Sequence, residues 1–198
     1  MDKLLFLGPP GCGKGTQASM LKKFGYLHVS SGDILRNEIS NNTQLGLKVK
    51  QYVESGGLVP DDIMIEVIMN SIPIDKFILD GFPRTETQAV SLDESLKFDL
   101  VINFQCDTNM LVDRILNRMI CPSCNKSYSN TVKCVDDNTT LIKRSDDDIT
   151  KALKRINTYN NNIEALSNFY ANKILNIDAT KDINEINYNL CNAIGLFK

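Results

Sequence analysis

Apolar and polar positions follow two rhythms along this chain. Short apolar runs at Lys3-Leu4-Leu5-Phe6-Leu7, Tyr26-Leu27-His28-Val29, Lys76-Phe77-Ile78-Leu79-Asp80, Asp99 to Phe104 and Lys173 to Asp178 have the length and composition of buried parallel strands. Between them, apolar residues recur at helical spacing. This predicts helices over Thr16 to Phe24, two short ones from Ile34 to Ser55 broken near Asn41-Asn42-Thr43, and one over Asp61 to Ile72. Further helices are predicted over Thr108 to Met119, Ser145 to Tyr170 and Asp182 to Leu196. The capping box Ser145-x-x-Asp148 and three early acids mark the start of the longest. Strands alternating with helices specify an α/β fold with a parallel central sheet covered on both faces, and residues 30–59 form a small helical insert on it.

The first strand runs straight into Gly8-Pro9-Pro10-Gly11-Cys12-Gly13-Lys14-Gly15-Thr16, and a helix follows. Backbone N–H groups of a loop short of side chains close around phosphate oxygens, and a helix N-terminus adds partial positive charge. Lys14 supplies a full charge to the terminal phosphates. The strict pattern G-x-x-x-x-G-K-S/T fails by one residue, because Gly15 precedes Thr16. A tight turn explains one or two of these glycines, not four with a lysine between strand and helix.

Asp80 ends a buried strand, the arrangement that places a carboxylate beside a phosphate loop to hold Mg²⁺ directly or through water. Arg114 and Arg118 stand four residues apart on a predicted helix and so share one face. That helix leads into Cys121-Pro122-Ser123-Cys124, followed by Cys134-Val135-Asp136-Asp137. Two thiolates separated by two residues bind one tetrahedral ion, and the second half offers Cys-x-x-Asp. The proposed ligands are Cys121, Cys124, Cys134 and Asp137 for a structural Zn²⁺, with Asp136 competing for the fourth place. A redox C-x-x-C belongs at a helix start, whereas this one follows a helix. His28, the single histidine, has no partner visible in sequence and reads as structural.

Composition narrows the function classes. The 198 residues are 42% hydrophobic and 23% charged with a net charge of -2, which argues against general nucleic-acid or membrane-surface binding. The basic residues that matter must be locally focused. No apolar run approaches the roughly 20 residues of a membrane span, and the first strand begins almost at Met1, leaving no room for a signal peptide. Six scattered cysteines form a poor disulfide framework. A cytoplasmic address is expected.

Taken together, the phosphate loop, Ser30-Ser31-Gly32-Asp33-Ile34-Leu35-Arg36, Asp80-Gly81-Phe82-Pro83-Arg84-Thr85 and Arg144-Ser145-Asp146-Asp147 followed by Arg155 resemble the adenylate kinases of the zinc-lid type, nearly end to end. The resemblance implies a P-loop three-layer core (1–29, 60–119 and 147–198), an AMP-binding insert (30–59) and a lid (120–146). It implies that Gly11, Cys12, Gly13, Lys14, Gly15 and Thr16 hold ATP phosphates. Arg114 would stack on the ATP base, Arg118 contact ATP phosphates, Ser127 and Tyr128 touch the base from the lid, and Lys181 lie near the adenine. Ser31, Arg36, Gly57, Leu58, Val59, Gly81, Phe82, Pro83, Arg84 and Gln88 match the AMP site. Arg144 and Arg155 would converge with Lys14, Arg84 and Arg118 on the reacting phosphates. The implied partners are ATP and AMP, with Mg²⁺ and a structural Zn²⁺ that does not touch substrate. No nucleic acid or membrane is implied, and the expected state is a monomer.

Phosphoryl transfer has a loose transition state with charge spread over equatorial oxygens, so alignment and neutralisation by arginines suffice. Closing a lid excludes water, adenylate kinases being a standing example. Three departures stand out: Ser31 where threonine is commoner, Met119 in place of a second arginine, and a short loop between Cys124 and Cys134. A pyrimidine monophosphate kinase is the rival enzyme, against which Gln88 offers an amide that pairs with an adenine edge. A GTPase lacks its base-reading element here, since Asn125-Lys126-Ser127-Tyr128 does not fit. A zinc-ribbon nucleic-acid module would need basic residues where Asp136, Asp137 and Asp146 to Asp148 stand.

Overall fold

The computed structural model describes residues 1–73, 75–144 and 146–197. In chain order the strands are β1 (Lys3–Leu7), β2 (Leu27–Ser30), β3 (Phe77–Asp80), β4 (Leu100–Gln105), β5 (Arg118–Ile120), β6 (Ser127–Ser129), β7 (Ile142–Lys143) and β8 (Ile174–Asp178). The helices are α1 (Lys14–Leu21), α2 (Ser31–Ser40), α3 (Gln44–Glu54), α4 (Asp61–Ser71), α5 (Glu86–Ser95), α6 (Thr108–Leu116), α7 (Ile149–Phe169) and α8 (Ile183–Ala193). None among the described residues is long and apolar enough to cross a membrane.

Five strands pair in parallel in the order β2-β3-β1-β4-β8. Side chains alternate across this sheet as the two-residue period of a strand requires. Leu4, Phe6, Ile78, Ile102 and Phe104 face one apolar cluster, with α1, α6, α8 and the first turns of α7 laid over it. Leu5, Leu7, Phe77, Leu79 and Val101 face the other, under α2, α3, α4, α5 and the far end of α7. Each fully buried leucine or phenylalanine here contributes about 1.5–3 kcal/mol, and together they make a rigid frame for the loops above.

Strand order fixes where a ligand goes. From β1 the chain crosses to β2 and β3 on one side, then passes over β1 to β4 on the other. The crevice beyond the carboxyl ends of β1 and β3 is therefore a topological switch point. Phe6 lies in register with Asp80, so the glycine loop after β1 and the carboxylate ending β3 open into one crevice.

Several predicted bounds move. The helix predicted to Met119 ends at Leu116, and Arg118 begins a strand of a second sheet, antiparallel, ordered β6-β5-β7. Arg114 and Arg118 thus do not share a helix face. The long helix starts at Ile149, capped by Asp148, whose carboxylate accepts from the Lys151 N–H at 2.9 Å. Ser145, the start of the expected capping box, lies outside the described residues. The closing helix is shorter at both ends than 182–196, and α1 starts two residues before Thr16. Helix α5 has no counterpart among the expectations; Thr85 caps it by accepting from the Gln88 N–H.

Candidate active site

The glycine loop turns into α1 at Gly13, whose φ of 98° lies in the left-handed region and whose missing side chain leaves the first helical N–H groups uncapped. Lys14 Nζ lies within this loop, donating to the carbonyls of Gly8 at 2.8 Å and Pro9 at 2.9 Å. Gly11, Cys12, Gly13, Lys14, Gly15 and Thr16 all line a wide cleft. The Cys12 side chain is buried and its thiol pushed up by that burial against the nearby Lys14 charge, so it is a neutral part of the wall.

Asp80 is 9% exposed. Burial alone would raise its carboxyl, but Lys14, a hydrogen bond from His28 and the charge of Arg84 hold it below the ordinary carboxylate range. A buried carboxylate kept ionised in front of a phosphate loop suits a hard divalent cation. His28 Nε2 lies 3.2 Å from Asp80 Oδ2, so the histidine does have a partner. Pairing depends on β2 lying beside β3, an order that local sequence does not announce.

A second, smaller pocket opens beside the cleft and shares part of its lining. Its wall includes Arg36, Gly57, Leu58, Val59, Arg84 and Gln88, with Gly81 and Phe82. Gly81 has φ +84°, and a Cβ there would meet Ser31 Oγ at 2.6 Å, so only glycine fits. Ser31 is fully buried, and its hydroxyl has no partner among the described residues. Pro83, joined to Phe82 by a cis peptide, faces the cleft. Arg84 Nε donates to the Gly81 carbonyl at 2.7 Å. Burial, then repulsion from Arg155 and Arg36, lowers the Arg84 guanidinium from its ordinary value, with Asp80 opposing.

Arginines meet at two adjacent carboxylates. Asp147, with no exposed side-chain surface, accepts from Arg118 Nε at 2.8 Å and a terminal nitrogen at 2.6 Å, and from Arg155 at 3.3 Å. Asp146 accepts from Arg144 at 3.1 and 3.2 Å and from Arg155 at 3.1 Å, with Arg36 at 3.7 Å. Burial would raise the Asp146 carboxyl, yet Arg144, Arg36 and Arg155 bring it down to about 2. Arg144 is lowered to about 10 by burial and by its neighbours Arg36 and Arg118, and stays charged near neutrality. The sequence marks these acids as helix-start residues and as part of the motif that begins at Arg144, but not as partners of Arg118 and Arg36.

Arg114 donates to the Ala179 carbonyl at 3.0 Å, which ties it to the loop before α8. It lines the cleft with Lys181, Ser127 and Tyr128. The Tyr128 hydroxyl lies 3.1 Å from Cys134 Sγ. Behind it Cys121, Cys124, Cys134 and Asp137 bring three sulfurs and a carboxylate within 4.8 Å of one another. Cys124 and Cys134 sulfurs are 3.7 Å apart, and Cys121 Sγ lies 3.7 Å from Asp137. A tetrahedral ion with bonds of about 2.3 Å to sulfur sets ligand separations of about 3.8 Å, so the donors fit Zn²⁺. Asp136 instead pairs with Lys126. Asp137 is held low by the Thr139 N–H. For Cys134, desolvation is outweighed by the Tyr128 hydroxyl and the N–H groups of Asp136 and Asp137, which favours its thiolate.

Comparison with known proteins agrees with this geometry. The family Adenylate kinase matches residues 6–175. The chain belongs to the adenylate kinase family. It is 43% identical over 207 residues to the adenylate kinase of Borrelia duttonii, covering 98% of this chain and 97% of that one. It is 38% identical over 212 residues to the adenylate kinase of Alkaliphilus oremlandii, covering 98% of both, and 36% identical over 212 residues to that of Clostridium beijerinckii, again 98% of both. Family membership places this chain among the nucleoside monophosphate kinases.

Proposed function

We propose that this adenylate kinase transfers a phosphoryl group reversibly between ATP and AMP to give two ADP. One observation carries the reading: Arg36, Arg84 and Arg155 line both the wide cleft and the smaller pocket. Two nucleotides seated in those spaces would bring their phosphates together on a shared set of guanidinium groups.

ATP phosphates lie on the N–H groups of residues 11–16, and Lys14 leaves the loop carbonyls for the transferred group. Adenine of ATP sits near Arg114 and Lys181, and AMP in the smaller pocket with its base at Gln88. The buried Ser31 hydroxyl, unpartnered among the described residues, sits between Ser30 of the cleft lining and Gly32 of the pocket lining and supports a ligand there that would supply its missing hydrogen bond. AMP brings its own nucleophilic oxygen. The chain need only align it in line and neutralise the spreading charge, which Arg84, Arg118, Arg144 and Arg155 do. Asp80 would hold Mg²⁺, directly or through water, and the ion would supply further neutralisation of the ATP phosphates. Residues 120–146 act as a lid that closes over the cleft and shuts out water. Cys121, Cys124, Cys134 and Asp137 would hold Zn²⁺, which would cross-link that lid, a segment too small to hold its shape by a core of its own.

The test is product formation from Mg-ATP with AMP, CMP, UMP and GMP offered separately. We expect ADP with AMP alone, and a loss of at least about a thousandfold in kcat/KM in Lys14→Ala. Transfer to pyrimidine nucleotides instead would mean that Gln88 does not read adenine. No transfer to any acceptor from folded protein would sink the kinase reading.

A further inference from the structure

Gln88 is 1% exposed and forms part of the smaller pocket's wall. Both ends of its amide are engaged. Gln88 Oε1 accepts from the Arg84 backbone N–H at 2.7 Å, and Gln88 Nε2 donates to Asp61 Oδ1 at 2.7 Å. Asp61 is half-buried in the first turn of α4 and is not among the residues that line the pocket.

An amide side chain is symmetric in shape but not in chemistry, and its orientation is set by its partners. Here the partners are a pure donor and a pure acceptor. Rotating the amide by half a turn would set Nε2 against the Arg84 N–H and Oε1 against the Asp61 carboxylate. Only one orientation survives. In that orientation Oε1 keeps one free lone pair and Nε2 keeps one free N–H. That pair matches a purine with an amino group at C6 and an acceptor at N1, the edge of adenine. A 6-oxopurine presents O6, an acceptor, to Gln88 Oε1 and N1–H, a donor, to Gln88 Nε2–H, so acceptor meets acceptor and donor meets donor.

We infer that Asp61 is a positioning residue for acceptor choice: it locks the Gln88 amide in the orientation that accepts 6-aminopurine and rejects 6-oxopurine monophosphates. The inference rests on the smaller pocket being the AMP site. Asp61 acts through Gln88 and does not touch the nucleotide.

Inosine monophosphate is the fitting probe, since it differs from AMP only at the 1 and 6 positions. Binding of each is measured by titration calorimetry to the wild type, to Asp61→Ala and to Asp61→Leu, the last filling the space without an acceptor. Both variants are expected to narrow the AMP-to-IMP ratio of dissociation constants by roughly tenfold, because the rotated amide then loses only the Arg84 contact. In a Gln88→Ala background, adding Asp61→Ala should leave the ratio where Gln88→Ala put it. A merely structural role of Asp61 would weaken both nucleotides alike and act with or without Gln88. The inference is overturned if a folded Asp61 variant keeps the wild-type ratio, or narrows it equally without Gln88. Wild type that binds neither nucleotide would overturn the AMP-site reading itself, a distinct result.

Discussion

Asp146 shows how one side chain holds a charged site together. Its carboxyl lies at about 2 because three arginines surround it, against an ordinary value of about 3.9. A folded pKa below the unfolded one adds stability that is complete above the unfolded value and disappears as pH falls through the folded one. The window is therefore from about pH 4 down to about pH 2. We expect Asp146→Asn to be less stable than wild type at neutral pH and to show a shallower decline across that window, the two curves converging near pH 2. Melting temperature against pH checks this; parallel curves would mean that Asp146 contributes no proton-linked stability. At this scale local pattern announced Lys14 and Asp80 as candidates, while Arg84 and Gln88 came forward only through the family resemblance. Their partners were legible in neither way. His28 finds Asp80 across neighbouring strands, Arg118 finds Asp147 across a sheet, and Gln88 finds Asp61 through helix packing. None of these pairings leaves a mark in local sequence.

Elements followed the hydrophobic rhythm where burial dictated it and departed where a second sheet competed. Apolar spacing carried the helix reading through Met119, but the chain leaves α6 at Asn117. There the Asn117 amide turns back to donate to the Asp113 carbonyl at 3.0 Å, Arg118 to Ile120 pair with β6, and Met119 and Ile120 pair with β7 as well. Tertiary pairing outweighed propensity. Among the described residues the small sheet buries only Cys121, Cys134 and Leu141, with Met119, Cys124 and Tyr128 packed against them. So little apolar contact predicts dependence on metal. Removing Zn²⁺ with a strong chelator should lower the melting temperature by on the order of 10 °C, restored by Zn²⁺, while Cys124→Ser should start low and not respond. Metal analysis alongside calorimetry gives the check, and an unchanged melt after proven metal loss would refute it.

Across the whole molecule, charge is unevenly shared. Acidic residues outnumber basic ones, 24 to 22, yet the cleft collects Lys14, Arg36, Arg84, Arg114, Arg118, Arg144, Arg155 and Lys181. A positive cleft in a slightly acidic body attracts polyphosphates without inviting general anion binding. Raising the ionic strength from about 0.05 to about 0.5 M should therefore raise KM for both nucleotides several-fold, and steady-state kinetics at fixed free Mg²⁺ would read it. An insensitive KM would place the attraction in contacts too deep to screen. Alternating strands and helices made the parallel sheet legible, but not its order, because nothing local tells β1 that it will lie between β3 and β4.

The phosphate-loop helix is fastened from the other end of the chain. The Gln17 amide, 2% exposed, donates to the Ile183 carbonyl at 2.9 Å and accepts from Asn187 at 3.0 Å, both partners on α8. Ile183 follows Gln17 by 166 residues and Asn187 by 170, so on a ribosome the loop emerges long before its anchor. Until α8 is out and docked, Gln17 has no buried partners and the apolar face of α1 has no cover from Ile186 and Leu190. A nascent chain stalled before Ile183 therefore carries the glycine loop without a seat for its helix.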